Sequence, residues 1–478
     1  MNIRQNLING AKWVVVGKVF SQVVSWGVTI FVMRLLSPSD YGLMAVAMSV
    51  ISLLSHLNEF GLNSALVQAN DISERQCGAV FGMMLLISSV LVILFTFIAP
   101  YLAVFFEKPE LSSIFIVTSY TFLITAFGTV PNALLRKAMN FKVLASVDLI
   151  NTLYSSFATL VLAQRGCGVW SLVFGNLIGS SINILTLYCV SPKIIMPNFS
   201  FGECKSLLKF GCYLTSNRFI WWIMAQIDIL IGAKILNKEA LGIYYVALDL
   251  AVMPLNKIMS TFNQVIFSAV SKIQNEKDIL KGGLIEGIWW VFNALLPCVL
   301  GLIITAPDFF PLILGWQWSD AILPFQLIAL SIILRLLNGL FSTCNTAVGR
   351  IDVDFRNTIT GALVMLPCFW YGANQGVVGL ALAWPIGVVF VFTLNFPQNS
   401  IVSGVKFSEI LLIALKPLVV SLLMVGSVMA SRKFLINYFS KIQLLVVMVF
   451  IGISVYFVVM SIVDKNFRHY VGKLFHRK

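Results

Sequence analysis

The chain has 478 residues, 59% of them hydrophobic and only 11% charged, and its mean hydropathy is +0.91. Such a composition excludes a soluble globular protein and defines an integral membrane protein. The formal charge of +13 calls for no nucleic acid, because it follows from membrane topology and contact with anionic lipid headgroups.

A membrane span needs about 20 mostly apolar residues. The hydropathy pattern predicts an all-α, polytopic protein with about 14 such spans, near 13–35, 41–66, 78–103, 111–135, 145–164, 168–190, 210–233, 241–268, 284–306, 321–347, 357–374, 376–396, 408–430 and 442–463. The first follows Arg4 and Lys12 and runs past Lys18 to Met33 without a small-residue cleavage site, so it is expected to stay in the protein. Lys and Arg concentrate in the two ends and the even-numbered loops, and the tail carries Lys465, Arg468, Lys473, Arg477 and Lys478. The richer side is expected to be cytoplasmic, which places both termini inside.

Residues 34–47, RLLSPSDYGLMAVA, return 200 positions later as residues 234–247, KILNKEALGIYYVA. Leu36, Gly42, Val46 and Ala47 match Leu236, Gly242, Val246 and Ala247, and Ile98-Ala-Pro-Tyr101 is echoed by Thr305-Ala-Pro-Asp308. A repeat this long fits a duplicated transporter lobe rather than a solenoid. Both copies run from inside to outside, which predicts parallel halves about an axis along the membrane normal. Arg34 and Lys234 then fall at outer span ends as interface anchors.

The loops exclude several functions. The longest polar stretches, Ser191 to Lys209 and Lys272 to Gly283, are too short to bury a soluble core, and no GxxxxGK[ST] phosphate loop occurs that could couple transport to ATP. HEXXH and GxSxG are missing, and the three histidines are His56, His469 and His476, so no enzyme is expected. Eight cysteines stand singly without CxxC spacing. No disulfide framework, metal or cofactor is expected.

Charges at bilayer depth cost several kcal/mol unless they face the bundle interior or water, so they are functional candidates. At 1.5 Å rise per residue, Arg218 lies about 13 Å beyond Lys209 and Arg335 about 22 Å beyond Asp320. Asp249 and Lys257 lie about 13 and 25 Å beyond Ala240, two turns apart on one face with Pro254 between them. The expected substrate-binding set is Arg218, Arg335, Lys257 and Lys18, with Lys18 and Lys257 either lining a cavity or snorkelling to the inner interface. Asp249 is a coupling-ion site or, preferably, a counterion to a neighbouring cation. Asp228 and Glu59, near span ends, are further ion-coupling candidates that also fit interfacial positions. An excess of fixed cations suits an anionic substrate such as a diphosphate. Trp221, Trp222, Trp289, Trp290, Trp316 and Trp318 fit interfacial belts better than sugar stacking.

The segments Arg34-Leu-Leu-Ser-Pro-Ser-Asp-Tyr-Gly-Leu43, Glu59-Phe-Gly-Leu-Asn-Ser-Ala-Leu66, Gln226-Ile-Asp-Ile-Leu-Ile-Gly232, Leu241-Gly-Ile-Tyr-Tyr-Val-Ala247 and Leu314-Gly-Trp-Gln-Trp318 carry a resemblance. The chain resembles the Wzx-type polysaccharide-transport family of the multidrug/oligosaccharidyl-lipid/polysaccharide exporter superfamily, on the branch of colanic acid and O-antigen exporters. The resemblance implies two six-helix lobes, residues 1–190 and 210–396, joined by a linker at 191–209 around a central cavity. Two extra helices and a basic tail would occupy 397–478.

It also implies a flippase for undecaprenyl-diphosphate-linked oligosaccharide units in the bacterial inner membrane, serving lipopolysaccharide O-antigen, capsule or exopolysaccharide synthesis, with a polymerase and chain-length regulator as pathway partners. No substrate residue carries over by motif, so the four cations rest on depth. The rivals are a multidrug or small-molecule antiporter of the same superfamily, which would favour intramembrane carboxylates, and a polysaccharide polymerase.

Overall fold

The computed structural model describes residues 21–59, 66, 73–138, 140–191, 193–200, 225–253 and 277–468. Among them regular structure is helical and no strand occurs. Lipid supplies no hydrogen bonds, so a spanning segment must satisfy its backbone internally, and a helix does this within one segment.

In chain order the helices are α1 (Ser21–Leu35), α2 (Pro38–Glu59), α3 (Glu74–Phe105), α4 (Leu111–Lys137), α5 (Phe141–Gln164), α6 (Val169–Val190), α7 (225–235) and α8 (238–253). They continue as α9 (Lys277–Trp290, prolonged to residue 314), α10 (Ile322–Ala347), α11 (Ile351–Asn374), α12 (Gly376–Ser403), α13 (Phe407–Leu435) and α14 (Lys441–Val463). Among the described residues, ten helical stretches are long and apolar enough to cross a membrane. Two compact units, Met1–Gly242 and Ile243–Lys478, divide the chain inside α8.

In the first unit the sequence repeat acquires a physical meaning. Both copies break a helix at the same place, after residue 35 and after residue 235, and restart it at residues 38 and 238. Ser37 and Asn237 cap the restarted helices, accepting from the Asp40 and Ala240 amides at 3.3 and 2.7 Å. Four residues into each new helix stand Gly42 and Gly242. Their backbones lie against each other: a Cβ on Gly42 would overlap the Lys238 carbonyl, and one on Gly242 the Pro38 carbonyl. Only glycine permits this approach at both positions.

Helix ends supply the other ties. The buried Lys108 ammonium, in the turn after α3, donates to the carbonyls of Ala233 at 2.6 Å and Leu236 at 3.0 Å, which end α7. In return Lys234 donates to the Phe105 carbonyl that ends α3 and to Glu107, both at 2.8 Å. Each lysine thus meets the negative end of the other's helix. Burial holds the Lys108 ammonium below the usual lysine range, against a smaller opposing pull from Glu107. Lys238 adds an ion pair with Glu110 at 2.6 Å, and Asp40 reaches across to accept from the Val169 amide at the start of α6, 2.9 Å.

In the second unit, prolines shape α9. Pro297 and Pro307 leave the carbonyls of Asn293 and Ile303 without their helical donors. The Tyr456 hydroxyl donates to the first at 2.8 Å and the Gln326 amide to the second at 2.8 Å. A π-helical turn, Val291–Leu295, precedes Pro297, and another, Phe310–Leu314, ends the helix. The two last helices pack on α9 through Met424, Tyr456, Met460 and Phe467. Ion pairs pin that packing toward both ends, Lys281 with Glu409 at 2.7 Å and Asp308 with Arg432 at 2.8 Å.

Replacing Gly242 by Leu is expected to lower the thermal midpoint of detergent-purified protein, at a cost of at least about 2 kcal/mol for forcing apart two backbones. Gly27→Leu, where a Cβ meets nothing within 4 Å, is the control and should leave the midpoint nearly unchanged.

Candidate functional site

Arg335 stands thirteen residues after Ile322 and twelve before Ala347, at the middle of α10, within an apolar helix whose other face is buried. A cation there would be costly if it faced lipid alone. The protein instead lays its guanidinium over the Trp384 indole of α12, 4.1 Å from the ring centroid, an attraction of about 0.5–2 kcal/mol.

The indole itself is held from two further sides. Phe369 of α11 meets it edge-to-face at 5.0 Å, and its Nε1–H donates to the hydroxyl of Tyr244 on α8 at 2.9 Å. The α11–α12 hairpin can close this far because Gly372 and Gly379 face each other with no room for a Cβ. Tyr244 is fully buried, whereas Arg335 and Trp384 are half-buried and keep part of their surface open. A guanidinium carries its N–H groups in its own plane, the geometry that takes a phosphate or carboxylate in two parallel hydrogen bonds, and in Arg335 the Nη1 atom is itself buried.

A second feature of the same unit is an apolar cavity of about 730 Å³ where α9 meets α13 and α14. Trp289, Pro297, Met424, Met448 and Tyr456 line it, and it opens outward past the exposed Ile453 and Phe457. Toward one end Trp289 donates its Nε1–H to the buried carboxylate of Asp464 at 3.3 Å. A hydrocarbon chain fits such walls.

The sequence-derived candidates meet different outcomes. Arg335 lies at mid-helix depth against aromatic partners. Asp249 is exposed on α8, whereas Asp228 is buried in α7 at 1% exposure. Lys18, Arg218 and Lys257 lie outside the described residues, as do the side chain of Glu59 and the residues Trp221 and Trp222. Trp289 and Trp290 line the apolar cavity. Trp318 is fully buried, and the exposed Trp316 has the Lys441 ammonium 5.5 Å over its ring. Gln226, in the family-like segment 226–232, accepts from Ser49 of α2 at 2.9 Å and is a packing residue.

Sequence reasoning missed Trp384, Tyr244 and Phe369. They stand 49, 91 and 34 positions from Arg335, and no spacing rule joins them. One signal was available: the second copy of the repeat carries Tyr244 where the first has Met44, placing a phenol hydroxyl at a buried position.

A helical, multi-pass chain with an arginine at the middle of an apolar helix and an apolar cavity in the same unit has the makings of a transporter. The family comparison makes this specific. Residues 31–323 match the family described as polysaccharide biosynthesis protein, and the chain belongs to that family. Over 407 residues it is 24% identical to the lipopolysaccharide biosynthesis protein WzxC of Escherichia coli (strain K12), covering 84% of this chain and 81% of that one. The succinoglycan biosynthesis transport protein ExoT of Rhizobium meliloti (strain 1021) is 25% identical over 417 residues, 85% of this chain and 82% of ExoT. The fold is that of the lipid II flippase MurJ in its inward closed conformation, with a TM-score of 0.77 and 18% identity over 95% of this chain and 99% of that one.

Arg335→Met is expected to lose no more stability than the cation–π contact supplies, about 1–2 kcal/mol, because an apolar side chain at this depth removes a desolvation cost. Thermal unfolding of the purified variant checks this. A larger loss would make Arg335 a structural residue.

Proposed function

We propose that this chain is a flippase that carries undecaprenyl-diphosphate-linked oligosaccharide units across the bacterial cytoplasmic membrane for surface polysaccharide synthesis, with both termini in the cytoplasm. The observation that carries this reading is the mid-helix Arg335, held by an indole rather than left to lipid. It supplies a directed cation for the diphosphate. The apolar cavity between α9 and the last two helices supplies a berth for the prenyl chain. Family membership supports the polysaccharide pathway, and the flippase fold supports the motion.

Two lobes, 1–190 and 210–396, rock to expose the headgroup site first inside and then outside, while the prenyl chain stays in an apolar environment throughout. The protein makes and breaks no covalent bond. Arg218, Lys257 and Lys18 extend the cationic lining, and Asp249, Asp228 and Glu59 serve as counterions or coupling sites. A polymerase and a chain-length regulator take the translocated unit on the outer side.

The test is complementation of a strain lacking this gene. Arg335→Ala and Arg218→Ala are expected to abolish surface polysaccharide while protein remains in the membrane, and lipid-linked single repeat units should accumulate on the inner leaflet. Arg335→Lys should keep part of the activity. Full export by both inserted alanine variants rejects the site, and accumulation of single units on the outer leaflet indicates a polymerase.

The berth has its own test. Gly301 lines the apolar cavity, and a Cβ there meets nothing within 4 Å, so Gly301→Leu fills space without a clash. We expect it to reduce export by about 10-fold with unchanged thermal stability, on the scale of one obstructed hydrophobic contact. Unchanged export places the prenyl chain elsewhere.

A further inference from the structure

We propose that Trp384 and Tyr244 are positioning residues that aim Arg335 at the diphosphate, so that selectivity for the charged lipid depends on the hydrogen bond between an indole and a phenol that themselves need not touch substrate. The inference rests on the reading of Arg335 as the headgroup contact and deepens it.

Its basis is a directed chain of contacts. An arginine side chain has a flexible stem, and its plane must be fixed before two N–H groups can meet two phosphate oxygens together. Trp384 fixes that plane from one face, at 4.1 Å. An indole on a single helix could still tilt about its own side-chain torsions. Here Phe369 presses its edge at 5.0 Å, and the Nε1–H is anchored 2.9 Å from the Tyr244 hydroxyl. The three anchors come from three helices, α8, α11 and α12, so the guanidinium plane is referred to the packing of the unit rather than to one side chain.

Tyr244 is suited to this part by its burial. It is fully enclosed, so water does not compete for its hydroxyl, and its ring has little freedom to move. The first copy of the repeat has Met44 at the matching position, also buried but with only a weakly accepting thioether in place of a hydroxyl. The repeat ancestry explains the packing of Tyr244. Its hydroxyl is an addition to that packing, and the acceptor it provides is what Trp384 uses.

The experiment uses the full-length chain purified in detergent and compares affinity for undecaprenyl diphosphate with affinity for undecaprenol by native mass spectrometry. The ratio of the two affinities reads the diphosphate contact and is insensitive to general loosening, and thermal midpoints are recorded alongside. Tyr244→Phe removes one oxygen and should lower the ratio about 3- to 10-fold, the range expected for losing one oriented polar contact. Trp384→Phe keeps an aromatic face but loses the donor and should lower it similarly. The double variant should be no worse than the more severe single variant, because both break the same bond.

If Arg335→Ala leaves the ratio unchanged, the headgroup reading itself fails. If Arg335→Ala collapses the ratio while Tyr244→Phe leaves it intact, the positioning inference alone is overturned. Additive losses in the double variant also overturn it. Should Trp384→Phe fail to fold, Tyr244→Phe against Arg335→Ala still decides between these outcomes.

Discussion

A carbonyl oxygen that loses its helical N–H inside a bilayer has no water to turn to, and much of this architecture follows from finding it another donor. Pro297 frees the Asn293 carbonyl and Tyr456 answers it from α14. Pro307 frees the Ile303 carbonyl and Gln326 answers it from α10. The same need, at the ends of α3 and α7, is met by two lysines, each reaching the other's helix end. Every repair comes from another helix, so satisfying the backbone and assembling the bundle become one process. Such repairs also fix where helices can bend. The π-helical turn at Val291–Leu295 sits just before Pro297, beside the apolar cavity, where a straight helix would present a different face.

The arginine at the middle of α10 meets the opposite problem, a charge in place of an unpaired dipole. An aromatic face lowers its cost without neutralising it, which a carboxylate partner would do. A guanidinium stacked on an indole keeps its full charge. Stability is not maximised by this choice. The arrangement accepts a desolvation cost at the middle of an apolar helix.

The positions of the spans were legible in the sequence because a bilayer imposes an apolar run of fixed length. Helices α3 to α6 and α10 to α14 lie where the hydropathy pattern puts them, with the single residue Gln375 between α11 and α12. Family membership was legible too, through segments such as 34–43 and 226–232. Of the site, Arg335 could be found because a cation in an apolar run is conspicuous. Trp384 and Tyr244 could not, since aromatic residues in spans are common and their roles depend on which ring meets which charge. For Asp228 only its distance along the helix was visible in the sequence, and its burial within the unit was decided by packing.

The 200-residue echo shows how the two sources divide. By itself the sequence established the membrane class, the order of spans and the pairing of Gly42 with Gly242, since these depend on composition and on similarity along the chain. That the two glycines lie against each other, and that Ser37 and Asn237 are helix caps, was decided by tertiary structure, because a backbone approach is a relation between segments 200 residues apart. For the same reason the fixing of Arg335 by Trp384, Phe369 and Tyr244 belongs to the fold. Hydrophobicity is carried by each residue, but the direction in which a guanidinium points is set by neighbours that only packing brings together.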